Sequence, residues 1–368
     1  MKRYALLCGL LLAATTAGAQ GPIYVVDTLA EGLDHPWSLE FLPDGRQLVT
    51  ERAGRLRMIE NGTLVKEPVD GVPPVMATGQ GGLFEVLADP RFGDNQTLYL
   101  SFADGTPDAN RTRVISARLE GRRLRDVRTI FAAEPTKRGG AHFGGRMTFL
   151  ADGTLVIGLG DGFNYRDEAQ NLQNHFGKIV RINRDGSVPA DNPFLNRKDA
   201  RPEIYSLGHR NVQGIAFDRA GGRLYAHEHG PKGGDEVNRI EPGKNYGWPL
   251  ITYGVDYSGA QISPYTERPG LEQPLLHWTP SIAPAGMALY RGDEFPAWRG
   301  SLIVTALAAQ KAQRVPIDGD RIGTQETLFA ELKQRLRQVR VDADGVVYLL
   351  TDDSQGKVLR VRAASRKP

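Results

Sequence analysis

GRMTFLADGTLVIGLGD, residues 145–161, followed at 177–186 by GKIVRINRDG, is the stretch that decides the fold. Apolar residues alternate through Met147 and Phe149, then through Leu155, Ile157 and Leu159, with Asp152-Gly153 between the two runs. Alternation with a period of two marks a half-buried β-strand. Asp-Gly between two such runs is a hairpin turn, because both residues tolerate positive φ. A third apolar run, Lys178–Ile182, follows a polar stretch.

The same order of pieces recurs. It reads WSLEFLPDGRQLVTERAGRLRMIE from Trp37, QGIAFDRAGGRLYAHEHG from Gln213 and RQVRVDADGVVYLLTDDSQGKVLRV from Arg337. Looser copies are GLFEVLADPRFGDNQTLYLSFA with TRVISARL (82–119) and AGMALYRGDEFPAWRGSLIVTALAAQKAQRVPI (285–317). Six copies of a several-stranded unit predict an all-β, six-bladed β-propeller with four-stranded blades around a central channel. A sandwich or pair of barrels is the lesser alternative. Helical patterns are scarce, and Gln325–Lys333 is the best candidate for a short helix.

Composition agrees. The 368 residues are 40% hydrophobic, enough for one large all-β domain or two ordinary ones, and 43 glycines with 23 prolines favour turns over helices. A net charge of +3 gives no footprint for nucleic acid or an anionic membrane. The N-terminus, MKRYALLCGLLLAATTAGAQG, reads as a secretory signal peptide over residues 1–19: Lys2 and Arg3, an apolar run Tyr4–Ala14, then Ala17-Gly18-Ala19. The expectation is a periplasmic or secreted protein whose residues 20–368 form one propeller domain. Cys8, the only cysteine, lies in the leader, so the mature chain has no disulfide to form. No later run has the length of a membrane span.

Polar residues crowd Ile204–Trp248, IYSLGHRNVQGIAFDRAGGRLYAHEHGPKGGDEVNRIEPGKNYGW. In a propeller, loops from every blade meet at one end of the channel, so distant residues converge there. His142, in GGAHFGGR, is flanked by glycines that leave its imidazole unobstructed, and a neutral imidazole suits proton abstraction. Taken alone, a structural histidine is the commoner outcome. Asp161 could orient it, or serve only as a turn aspartate. Arg210 and Asn211 precede one inner strand, Arg335 and Arg337 begin another, and Gln80 opens a third. Three arginines at equivalent blade edges would make a positive funnel that wants an anionic ligand, although each taken alone could be a solvated surface charge. Gly230-Pro231 offers two carbonyls, a hard-oxygen donor set for Ca²⁺; Asp235, Glu236 and the carbonyl near Tyr246 offer a second, with a hydrated loop equally common. Zinc spacing, a dinucleotide fingerprint and a nucleophile elbow are absent.

Taken in order, QGGLFEV (80–86), HFGGRMTF…DGTL…LGD (142–161), AQNLQNHFGKIVRINRDGSVPADNPF (169–194), GHRNVQGIAFD (208–218), EHGPKGGDEVN (228–238), KNYGWP (244–249) and QRLRQVRVDADGVVYLLTDD (334–353) carry a resemblance. The chain resembles the pyrroloquinoline quinone (PQQ)-dependent aldose sugar dehydrogenases, relatives of soluble quinoprotein glucose dehydrogenase. The resemblance implies PQQ and Ca²⁺ as cofactors. It implies His142 as general base helped by Asp161, and Gln80, Arg210, Asn211, Tyr257, Arg335 and Arg337 against PQQ. It implies carbonyls of Gly230 and Pro231 on the catalytic Ca²⁺, with Glu236 and Tyr246 on a second Ca²⁺. One departure stands out. Where the glucose enzyme carries a lysine this chain reads Thr305-Ala306-Leu307-Ala308, so Ala308 supplies no cation, although backbone at Ala306 and Leu307 could still touch the cofactor. The short loops between motifs suggest an open pocket.

The expected reaction is oxidation of an aldose at its C1 hydroxyl to the lactone: His142 takes the proton, hydride passes to PQQ, and Ca²⁺ and Arg210 stabilise the developing charge. The electron acceptor is not legible. Two rivals are a calcium-dependent lactonase or esterase on a six-bladed propeller, which would want acidic and amide side chains around an axial metal, and a non-catalytic binding propeller.

Overall fold

A computed structural model describes residues 24–364; the expected leader, residues 1–19, lies outside them. Six antiparallel sheets form the blades of a propeller. Their inner strands are Pro36–Phe41, Leu83–Ala88, Gly144–Phe149, Val212–Asp218, Pro284–Tyr290 and Leu336–Val341, blades 1 to 6 in chain order. Each packs against the inner strands of its neighbours around the ring. The six repeats are the six blades.

Local chemistry makes the hairpins. In blade 3, Asp152 Oδ1 accepts the N–H and hydroxyl of Thr154, and Gly153 takes φ 81°, a conformation nearly free of strain only for glycine. Phe149 then pairs with Leu155 and Met147 with Ile157.

Each blade is apolar on both faces, and each gap between neighbours holds its own cluster. Leu48 and Leu56 of blade 1 meet Leu83 and Phe102 of blade 2, and Val156 and Ile179 of blade 3 meet Val212 and Ile215 of blade 4. At about 1.5–3 kcal/mol per fully buried large apolar side chain, these junctions hold the ring together.

The structure departs from the sequence reading twice. First, blade 6 takes its outer strand from the other end of the chain: Tyr24–Leu33 pairs antiparallel with Gly356–Ala363, Val26 opposite Val361, closing the ring. Second, Gln325–Lys333 is not a helix. Glu326–Leu328 is a short strand on Lys311–Asp318, and only Ala330–Leu332 coils, as a 3₁₀ turn. Phe329 at φ 62° and Lys333 at φ 50° bracket that turn in left-handed conformations. The fully buried Phe329 ring is held against Tyr24 and Trp298, so tertiary packing overrides the local pattern. Helix among the described residues is limited to one α-turn, Phe92–Asn95, and three 3₁₀ turns. No described helix is long and apolar enough to cross a membrane.

Candidate active site

Arg146, on the inner strand of blade 3, lies on the axis. Its Nη1 donates to Glu85 Oε2 (3.0 Å) of blade 2, its Nε to Gln213 O (2.9 Å) of blade 4, and its Nη2 to Ala285 O (3.4 Å) of blade 5 and Arg337 O (3.1 Å) of blade 6. The guanidinium stacks 3.7 Å over the Trp37 ring of blade 1. One side chain therefore touches all six blades. Ser38 Oγ (2.7 Å) and Gln338 Nε2 (3.1 Å) complete the bonds of Glu85 Oε1. This network closes the channel.

Near that plug opens a cavity of about 830 Å³, counting its open mouth. It is lined by Gln80, Asn211, Leu307, Arg335 and Arg337, all expected from sequence, and by Arg52, which was not. The aromatic rings of Trp37, Phe84 and Phe143 form its apolar wall. Arg335 and Arg337 share one carboxylate oxygen, Asp352 Oδ2, at 3.0 and 3.2 Å. Arg337 Nε is buried without a hydrogen-bond partner, and Arg52 has no ion pair among the described residues. Three guanidinium groups against one carboxylate leave net positive charge facing an enclosed space. That suits a polyanionic ligand.

His142 stands beside this cavity. Its N–H donates to Gln80 Oε1 (2.9 Å), and its Nδ1 lies 2.7 Å from Asp161 Oδ1. Asp161 Oδ1 also accepts Phe163 N–H (2.8 Å), while Oδ2 accepts the Trp248 indole N–H (2.8 Å). A carboxylate that accepts from Nδ1–H leaves the lone pair on Nε2, and Nε2 has no hydrogen-bond partner among the described residues. Burial pushes the His142 pKa below the usual histidine value, against the opposing pull of Asp161. The imidazole is not unobstructed, as its glycine neighbours suggested. Its side chain is only 5% exposed, with the Phe163 ring 5.0 Å away, edge to face. His142 and Phe163 both sit at positive φ, 53° and 70°. Strain of this kind persists where the surroundings over-determine the residue.

Arg210 joins the same constellation. Its carbonyl accepts Asp161 N–H (2.8 Å), and Nη1 donates to His229 O (3.0 Å) and Gly230 O (2.6 Å). Its guanidinium lies 5.3 Å from the Trp248 ring and 5.9 Å from that of Tyr257. Asn211 Oδ1 accepts Gly144 N–H (3.3 Å) beside it. Of the expected Gly230 and Pro231 carbonyls, only that of Gly230 accepts from Arg210 Nη1, and His229 O is the other acceptor; main-chain oxygens of this kind are donors that Ca²⁺ takes.

The remaining expected residues lie apart from the main cavity. Tyr257, 60% exposed, borders an adjoining hollow with Phe163, Trp248 and Pro231. Ala306 is fully buried in its strand, and Ala308 points to solvent. Glu236 faces Glu228 across two strands in register. Burial first and Glu228 second push it up to about 8, and Asn238 (3.2 Å) is its donor. Tyr246 stacks on His209 at 4.8 Å, and His209 in turn meets Glu228 at 3.0 Å. Two crowded carboxyls are a place for a cation. Asp235 corrects the reading that grouped it with them: its oxygens are taken by Gly230 N, Ser281 Oγ, Ile282 N and Ala283 N. It buttresses a loop. Among the described residues no group of three or more His, Cys, Asp or Glu side chains is arranged to hold a metal.

Known proteins share this fold. The glucose/sorbosone dehydrogenase family model matches residues 33–360. The aldose sugar dehydrogenase YliI of Escherichia coli K12 is 42% identical, over 91% of this chain and 92% of its own. A crystal structure of a glucose dehydrogenase superposes with a TM-score of 0.90 at 45% identity, over 92% of this chain and 100% of that one. The PQQ-bound aldose sugar dehydrogenase of Streptomyces coelicolor does so with a TM-score of 0.76 at 28% identity, over 93% and 99%. By fold, by coverage and by sequence, the chain belongs to the glucose/sorbosone dehydrogenase family.

Proposed function

We propose that the protein oxidises the C1 hydroxyl of aldoses to the lactone, with PQQ and Ca²⁺ as cofactors, after export to the periplasm or beyond. The observation that carries this reading is a free imidazole nitrogen, oriented by Asp161, beside a cavity with unbalanced guanidinium charge. PQQ, when bound, would supply the hydride acceptor, with Ca²⁺ as its Lewis acid. The chain does the rest. Arg52, Arg335, Arg337, Gln80 and Asn211 would hold the cofactor, and Gly230 and Pro231 would offer carbonyls to its metal. His142 Nε2 takes the hydroxyl proton. Arg210 presents a fixed positive charge to the oxygen on which negative charge grows. Glu236 and Tyr246 hold a second, structural Ca²⁺. The hollow bordered by Phe163 and Tyr257 admits the sugar, and its aromatic faces suit a pyranose ring. The rival lactonase chemistry needs acidic side chains clustered on the axis, and nothing among the described residues favours it.

The test is a spectrum. Apo-protein mixed with PQQ and Ca²⁺, then an aldose, should show the quinone absorbance converted to that of the reduced cofactor. No change across a panel of aldoses would overturn the reading. Arg52→Ala should raise the PQQ dissociation constant about 10-fold, the effect of one lost charge-assisted contact. That weakening should shrink in high salt, because Arg52 is partly exposed. Titration by absorbance measures both, and unchanged affinity at low salt would remove Arg52 from the site.

A further inference from the structure

We propose that Trp248 is a positioning residue that braces the His142–Asp161 pair against Arg210 through its indole N–H. Asp161 is 1% exposed, and each carboxylate oxygen has its own donors. Oδ1 serves His142 and the Phe163 amide, whereas Oδ2 has one donor among the described residues, Trp248 Nε1 at 2.8 Å. With that bond the carboxylate plane is fixed, and so is the ring bonded to it. Without it a buried oxygen is orphaned, and the carboxyl relaxes away from Nδ1.

The brace is itself anchored. Trp248 N–H donates to Gly208 O (2.9 Å), and its carbonyl accepts Gln170 Nε2 (2.7 Å). Trp248 is 7% exposed and carries the Arg210 guanidinium 5.3 Å from its ring. The same side chain thus sets the distance between the proton-accepting imidazole and the charge that faces the developing oxyanion. Neither the Asp161 bond nor the Arg210 contact is needed to close a blade: the blade 4 strands end at Trp278 without using Trp248.

The kinetic consequence rests on the aldose-oxidation reading; the geometric one does not. The first measurement is therefore made on apo-protein, by NMR of the His142 Nδ1 proton, assigned by its loss in His142→Gln. In Trp248→Phe that resonance should move or broaden through exchange, while Trp278→Phe leaves it in place. The second is a double-mutant cycle on the PQQ- and Ca²⁺-loaded enzyme. Trp248→Phe should lower kcat about 10-fold and leave the PQQ affinity within about twofold of wild type, because Trp248 does not line the cavity that would take PQQ. In an Asp161→Asn background the same substitution should add almost nothing, because its effect passes through Asp161. Trp248→His, whose ring N–H can occupy the same place, should recover part of the rate. An unmoved Nδ1 resonance overturns the proposal, as does a fully additive cycle. If wild type oxidises no aldose, the reaction reading fails and the NMR result alone decides the role of Trp248.

Discussion

His142→Ala should lower kcat/KM for aldose oxidation by about 10²–10⁴-fold, the range a positioned general base supplies, while PQQ binds as before. The two effects separate because of where the groups lie. The bond from His142 to Gln80 is made by the main-chain N–H, which alanine keeps. The cavity that would take PQQ is lined by neighbouring Phe143 and Gly144 rather than by the imidazole. The pH profile carries the same assignment. Burial holds the His142 pKa below its unfolded value, so the folded protein keeps a neutral base to pH values below about 6.5. The acid limb of kcat/KM, where the imidazole takes a proton, should therefore have its midpoint below the value of about 6.5 for an unperturbed histidine. Asp161 opposes the burial effect, so Asp161→Asn should move the acid limb lower still, besides slowing the reaction by loosening the ring. Steady-state rates between about pH 5 and 8 on the three proteins decide it. Near-wild-type turnover in His142→Ala would remove the residue from the chemistry, whatever its geometry.

What could be read in advance was whatever repeats or ends a repeat. The Asp-Gly hairpins and alternating runs mark the inner strands, and residues just ahead of those strands, His142, Arg210 and Arg335 among them, are carried to one end of the axis by topology alone. What escaped depends on partners distant in sequence. Tyr24–Leu33 has no copy in the repeat, and only its pairing with Gly356–Ala363 makes it a blade strand. Arg52 reads as one more exposed charge after a strand until the ring places it beside Arg337. Trp248 precedes a proline in a loop, where nothing local shows that its N–H reaches Asp161. The Phe329 segment has helical residues but a ring that must bury. Its glycine neighbours made His142 look open, yet Phe163, brought in by the next loop of the same blade, covers it.

Arg146→Met should cost about 3–5 kcal/mol of stability, the size of a broken buried ion pair, although the substitution touches no expected substrate group. Arg146 and Glu85 are 3% exposed each, and burial pulls the guanidinium down to about 10, still charged at neutral pH. Methionine removes the positive partner and leaves Glu85 in the channel with only Ser38 and Gln338 as donors. It also orphans the carbonyls of Gln213, Ala285 and Arg337. Those three belong to three different blades, so the loss weakens the ring where its blades meet rather than one sheet. Adding Glu85→Gln to Arg146→Met should return a sizeable part of the stability, since the unpaired charge is then gone. Arg146→Lys should fall between wild type and methionine: an ammonium can meet Glu85 but cannot fork to the other blades or stack on Trp37. Denaturant midpoints measure all three. A methionine variant within about 1 kcal/mol of wild type would show that the ring is held by its inter-blade apolar clusters and that the axial arginine merely fills the channel.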